Sequence, residues 1–189
     1  MKFTLTYTGE LKANGSVEHK HMLRSQFHSQ LSVLWQQEPL VENHHWFRGG
    51  KPTKIDLNRR VGAFQFVPLV SPAIHLVCEL KISMLRPEPP GSIVTQGGDI
   101  DNRLKTLLDA LRVPKNLKEV PSSAEPGPSH NPFFCLLEDD ALITGLSVDT
   151  ERLLVAEKRA TEVHLDIQVI TRPTRVIVEN RILGNIGLV

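Results

Sequence analysis

The chain has 189 residues, 40% of them apolar and 23% charged, and a formal net charge of +1. That length holds one compact domain with a sizeable core and is too short for two, and the composition is ordinary for a soluble globular protein. Cys78 and Cys135 stand alone with no C-x-x-C spacing, so neither a disulfide framework nor a structural zinc site is suggested. No apolar run reaches membrane length, and residues 1–7 alternate like a strand rather than a signal peptide, so a cytoplasmic protein is expected.

A first strand is predicted over 2–8, ended by Gly9 and the loop residues Asn14-Gly15-Ser16. A helix from about 17 to 37 follows, with Leu23, Phe27, Leu31 and Leu34 as its buried stripe and Pro39 beyond its end. His19, His21 and His28 are expected on its exposed face, and His21 and His28 lie two turns apart, too far along the axis for a tight metal pair. From 41 to 61 the periodicity fails, and Arg48, Lys51, Lys54, Arg59 and Arg60 outnumber Glu42 and Asp56. With His44, His45 and Trp46 in front of them, two readings stand side by side. This is either a basic loop that contacts phosphates and stacks an aromatic on a base, or a solvated connection anchored by Trp46.

The clearest strand is 74–84, with Ile74, Leu76, Cys78, Leu80, Ile82 and Met84 on one face. Residues 64–70 are a candidate hairpin partner for it, with Pro68 marking an edge or a break. Next comes Gly97-Gly98-Asp99-Ile100-Asp101-Asn102-Arg103-Leu104-Lys105. From Ile100 the apolar residues fall at Leu104, Leu107, Leu108 and Leu111, the stripe of an amphipathic helix, while Asp101, Lys105, Asp109 and Arg112 take another face. Asp99 sits where an N-cap is expected, and Asp101 suits the first turn of a helix. Neither role accounts for a second acid run, Glu138-Asp139-Asp140, just before Ala141-Leu142-Ile143. Carboxylates from both segments would repel one another if the fold brought them together, and a divalent cation relieves such repulsion.

Between the two motifs, residues 119–132 hold Pro121, Pro126, Pro128 and Pro132 and are expected to form a mobile insertion that builds no core. Two more strands are predicted at 143–153 and 162–170, joined by a turn near Glu157-Lys158-Arg159. In the second, Val163, Leu165, Ile167 and Val169 alternate with His164, Asp166 and Gln168. The tail 174–189 carries Val176, Ile177, Val178, Ile182 and Leu183, enough apolar surface to need burial on the sheet or against a second copy. The expected fold is therefore one α+β domain over 1–173, a small mixed sheet of about four to six strands packed with two principal helices, followed by a C-terminal extension.

The run Asp99-Ile100-Asp101-Asn102-Arg103-Leu104-Lys105, its helix to Leu111, and Asp139-Asp140-Ala141 opening a strand together resemble the RusA family of Holliday-junction resolvases. The resemblance implies a RusA-like fold and a magnesium-dependent endodeoxyribonuclease, with Mn2+ as a substitute ion. Asp99, Asp101, Lys105 and Asp140 would be catalytic, and Asp99, Asp101, Asp139 and Asp140 would bind metal. It further implies a homodimer that makes paired symmetric nicks in a four-way junction during DNA recombination and repair. Arg48, Lys51, Lys54, Arg59 and Arg60 are the expected DNA contacts. Lys105 has a plainer role open to it, an i,i+4 ion pair with Asp101 worth about half a kcal/mol. In the family a shorter connection joins the helix to the Asp-Asp pair, so the 119–132 insertion departs from the pattern. A non-catalytic DNA-binding module on the same scaffold is the alternative, as is a nuclease for other branched, flap or RNA substrates. No G-x-S-x-G, H-E-x-x-H or G-x-x-x-x-G-K occurs.

Overall fold

The computed structural model describes residues 1–48, 54–87, 100–154 and 162–184. Along the chain run β1 (Lys2–Glu10), α1 (Val17–Trp35), a short α2 (His45–Arg48), β2 (Arg59–Val61), β3 (Phe64–Val70), β4 (Leu76–Arg86), α3 (Ile100–Leu111), β5 (Phe133–Leu137), β6 (Ile143–Arg152) and β7 (Glu162–Pro173). The fold is α+β, as expected, but its strands form two mixed sheets rather than one. The larger has the order β1-β7-β4-β6, and the smaller the order β2-β3-β5. Strand β7 runs antiparallel to both β1 and β4, while β4 and β6 are parallel. The turn predicted near Glu157-Lys158-Arg159 lies outside the described residues, and the strands on either side of it are separated in the sheet by β4.

The larger sheet follows from period-two alternation. Leu76, Cys78, Leu80, Ile82 and Met84 of β4 and Val163, Leu165, Ile167 and Val169 of β7 are buried on one face, with Leu5 and Tyr7 of β1 beside them. The smaller sheet follows a different rule. Every residue of β5 is buried, and so is nearly all of β3, because this sheet has a hydrophobic cluster on each side. Phe134, Leu136, Val67 and Leu69 belong to the main core, while Phe133, Cys135, Phe64 and Phe66 belong to a second cluster with Val113 and Val120.

Strand β3 therefore corrects the hairpin expectation: it pairs with β2 and, in parallel, with β5, and not with β4. After Val70 the chain makes a 3-10 turn, Pro72–Ile74, capped by Ser71, and His75 adopts a left-handed conformation (φ 52). That redirects the chain before β4 begins. Pro68 is tolerated inside β3 because β2 pairs only with Phe64–Phe66, so at Pro68 the strand has a partner on one side alone. The β2–β3 hairpin turns on Gly62 with φ 61, a backbone conformation that favours glycine.

Helix α1 begins where Ser16 accepts the His19 N–H at 3.3 Å. Its buried face carries Leu23, Phe27, Leu31 and Trp35, each side chain contributing roughly 1.5–3 kcal/mol by leaving water. The expectation of exposed histidines on this helix is corrected. His19 and His28 are 8% and 4% exposed, and His21 is half-buried, because α1 is covered on a second side by β5 and the segment after α3. His28 Nδ1 accepts the Phe134 N–H at 2.9 Å, and the His21 ring lies edge-on to Phe64. The proline-rich stretch also differs from expectation. It buries Val120 and Pro121, packs Ala124 against the second cluster, and stacks His130 on Phe133.

Part of the tail folds back on the larger sheet. The Met1 amino group and Thr171 Oγ1 both donate to the Leu183 carbonyl, and Asn180 Nδ2 donates to Ile74 and Arg175 carbonyls at 2.8 Å. Leu183 is buried, while Val176, Val178 and Ile182 stay exposed. No helix among the described residues is long and apolar enough to cross a membrane.

Candidate metal and nucleic-acid site

Helix α3 carries the first motif. Its buried residues are Arg103, Thr106, Leu107, Ala110 and Leu111, so its inner face is turned toward Arg103 and Ala110, and Leu104 and Leu108 are only partly covered. Arg103 donates to the Leu11 carbonyl, and Thr106 Oγ1 accepts the Gly15 N–H at 2.9 Å, which fixes the start of the helix against the β1–α1 connection. Asp101 and Lys105 remain exposed, one turn apart on one face. Among the described residues no ion pair joins them. Asp99 and Lys51 lie outside the described residues.

At the other end of α3 stands a polar hub. Asp109 receives Lys20 Nζ at 2.8 Å and Arg112 Nη2 at 2.7 Å, and Arg112 also reaches Glu119 at 2.8 Å. Arg24, almost fully buried, donates to the Asp109 and Arg112 carbonyls. Burial pushes the Asp109 carboxyl up, but Lys20 and Arg112 together hold it below the ordinary carboxylate range. The sequence places Asp109 and Arg112 on a helix face apart from the apolar stripe, and that face is covered by α1 and Glu119 rather than water.

The second motif follows β5. Arg112 bridges to Leu137 in parallel, and Val113 N–H donates to the Leu137 carbonyl at 2.9 Å, so the end of α3 and the end of β5 are side by side. The three acids after Leu137 then take separate roles. Glu138 is held by Arg59 through two hydrogen bonds of 2.7 and 2.9 Å and by the Ser71 hydroxyl at 2.5 Å. Asp139 Oδ1 caps the following 3-10 turn by accepting the Ala141 N–H at 2.9 Å. That bond, together with Lys115, holds the Asp139 carboxyl below its ordinary range. Asp139 and Asp140 are both part-exposed, and Lys115 Nζ lies 3.3 Å from the first and 3.8 Å from the second.

The basic connection is divided in the same way. Trp46 is 1% exposed in the main core, so it anchors the segment and offers no ring for stacking on a base. Arg59 is spent on Glu138, whereas Arg48, Lys54 and Arg60 are exposed. Nothing in the sequence marks the Arg59–Glu138 pairing, since the two are far apart in the chain and each belongs to a run of like charge.

No protein-family model, no curated protein and no solved structure matches this chain. The site must therefore be read from its own chemistry. Part-exposed carboxylates, one of them held ionised, are hard oxygen donors of the kind that magnesium takes. Among the described residues no three acid, histidine or cysteine side chains gather around one point, and Asp99 falls outside that set.

Proposed function

We propose that this chain is a magnesium-dependent endodeoxyribonuclease of the Holliday-junction resolvase type, acting on branched DNA as a homodimer. The observation that carries this reading is the pair of acid motifs in the sequence, Asp-x-Asp-Asn-x-x-Lys over 99–105 and Asp139-Asp140. Asp101 stands in the first turn of α3 and Asp139-Asp140 follow β5 beside the last turn of the same helix, so α3 is the element that links them. The carboxylates are hard oxygen donors: Asp101 is exposed, Asp140 is part-exposed, and Asp139 has Oδ1 engaged as a cap and Oδ2 facing Lys115. Bound there, magnesium would lower the pKa of water for attack on phosphorus and neutralise charge on the leaving oxygen.

The remaining work falls to this chain's own side chains. Lys105 presents an exposed ammonium one turn from Asp101, suited to a phosphate whose negative charge grows during displacement. Arg48, Lys54 and Arg60 offer charge to flanking phosphates, and such contacts make affinity fall steeply with salt. Glu138, clamped by Arg59 and Ser71, fixes the backbone from which Asp139 and Asp140 project. Two copies related by a two-fold axis would meet the two-fold symmetry of a four-way junction and cut both strands alike.

The test is cleavage of a labelled four-way junction, a flap and a linear duplex with magnesium or with EDTA, by the protein and by Asp101→Asn. Paired nicks on the junction alone, lost in the variant and in EDTA, are the expected result. Binding without cleavage under any divalent ion overturns the nuclease reading in favour of a DNA-binding module, and cleavage of the flap alone moves the substrate to other branched DNA.

A further inference from the structure

The larger sheet ends in two unlike edges. At β1, the Gln30 side chain from α1 stands in for a neighbouring strand: Oε1 accepts the Thr6 N–H at 2.9 Å and Nε2 donates to the Thr6 carbonyl at 2.7 Å. At the other edge, β6 pairs with β4 alone among the described residues. We propose that β6 is the interaction surface for a second copy of this chain, the two β6 strands pairing antiparallel across a two-fold axis so that two four-stranded sheets join into one. The proposal names the surface of the homodimer and stands apart from the nuclease chemistry.

Three observations carry it. The first is a row of open backbone groups. Leu153 N–H donates to the Arg86 carbonyl, and the register from Glu79–Gly145 to Arg86–Arg152 is unbroken. The N–H and C=O of one strand residue point the same way and alternate along the strand, so Leu146, Val148, Thr150 and Arg152 turn theirs away from β4. Natural edges are guarded by lysine, proline or a covering element. Strand β6 contains neither residue, and its core-side row holds Leu146, 43% exposed, beside the half-buried Val148.

The second observation selects the occupant. Open strand groups are met by another strand, and Gln30 already fills the middle of the β1 edge. Pairing of β6 on β1 would run from copy to copy without closing, whereas β6 on β6 closes after two.

The third is that charge sets the register. With Val148 on the axis, Leu146 faces Thr150 of the second copy, Asp149 faces Ser147 and Glu151 faces Gly145, so no like charges are opposed. An axis at Asp149 or Thr150 sets Asp149 against its own copy or against Glu151, and an axis at Ser147 leaves Arg152 beyond the end of the second strand.

Sedimentation velocity of the full chain at micromolar concentration, in EDTA and without DNA, measures this. The natural chain should be a dimer. Leu146→Lys puts a charge on the edge, and Val148→Pro removes an outward N–H while sparing those bonded to β4; each should weaken dimerisation at least about tenfold. Thermal melts check folding, and Leu146→Lys decides if Val148→Pro does not fold. Val148→Cys should form a disulfide with its copy when diamide takes up the thiol hydrogens, since residues facing across an antiparallel pair lie within disulfide reach. Glu151→Cys should not, and nor should the natural chain, whose Cys78 and Cys135 are buried. A dimer that survives Leu146→Lys and leaves Val148→Cys without a cross-link puts the interface elsewhere, so the proposal fails and the homodimer stands. A monomeric natural chain overturns both, while the cleavage assay with Asp101→Asn still decides the nuclease.

Discussion

Arg59 grips Glu138 through two parallel hydrogen bonds, 2.7 Å from Nε to Oε1 and 2.9 Å from Nη2 to Oε2, and so fastens the basic connection to the acid run after β5. A planar guanidinium makes such a two-point contact and an ammonium does not. Arg59→Ala should therefore destabilise the protein by about 1 kcal/mol, and Arg59→Lys should restore little of it. Urea unfolding midpoints of the two variants check this. An Arg59→Ala protein of natural stability with weakened DNA binding would instead return Arg59 to the phosphate contacts.

Trp46 sets the complementary expectation. Because it is 1% exposed in the main core, Trp46→Ala should cost about 3–5 kcal/mol, the range for emptying an aromatic site. Affinity for DNA per folded molecule should not change. Thermal melts and a binding isotherm corrected for the folded fraction separate the two effects.

His21 makes stability depend on pH. Burial, then the neighbouring Arg24 and His130, lower its pKa from 6.5 to about 4. Between those values the unfolded chain binds a proton that the folded chain refuses, so stability is greatest above pH 6.5 and falls as pH drops toward 4. The loss is on the order of 1–2 kcal/mol, discounted for the half-buried position. Denaturant midpoints measured from pH 7 to 4 should show this slope, and His21→Gln should flatten it.

Asp109 joins α1 to α3 through Lys20 and Arg112. Asp109→Asn keeps the shape but leaves the buried Arg112 with Glu119 as its one anionic partner among the described residues, beside the Val113 carbonyl, and should cost about 3 kcal/mol. Its carboxyl is depressed in the fold, so that part of the stability is present above pH 3.8 and disappears as pH falls through the folded value. Removing Lys20 alone, by Lys20→Ala, should cost less, since its partner keeps Arg112. Chemical denaturation of both variants ranks the two contacts.

The outlines of β1, α1, β4, α3 and β7 were legible because each has one wet face and one dry one, and periodicity reports that contrast. Strand β5 was not legible: Phe133 to Leu137 is buried on both faces and carries no alternation. The same blind spot hid the second sheet, whose β3–β5 pairing joins segments separated by β4 and α3. His21, Arg24 and His28 formed a polar stripe at helical spacing beside Leu23, Phe27 and Leu31, a signal of a second covered side that polarity alone disguised. Of the candidate site, the acid motifs stood out by spacing, but the division of labour within Glu138-Asp139-Asp140 depends on Arg59, Ser71 and Lys115, which only the fold brings near.

The position of β7 also bears on how the protein is made. It lies between β1 and β4, paired with both, yet it is the last of the described strands in chain order. Until Val163 to Ile170 are available, β1 has no strand beside it and β4 has only β6. The larger sheet therefore closes only when β7 docks between two strands far from it in sequence, a long-range pairing of the kind that slows folding, and a product lacking β7 would leave the edges of β1 and β4 open.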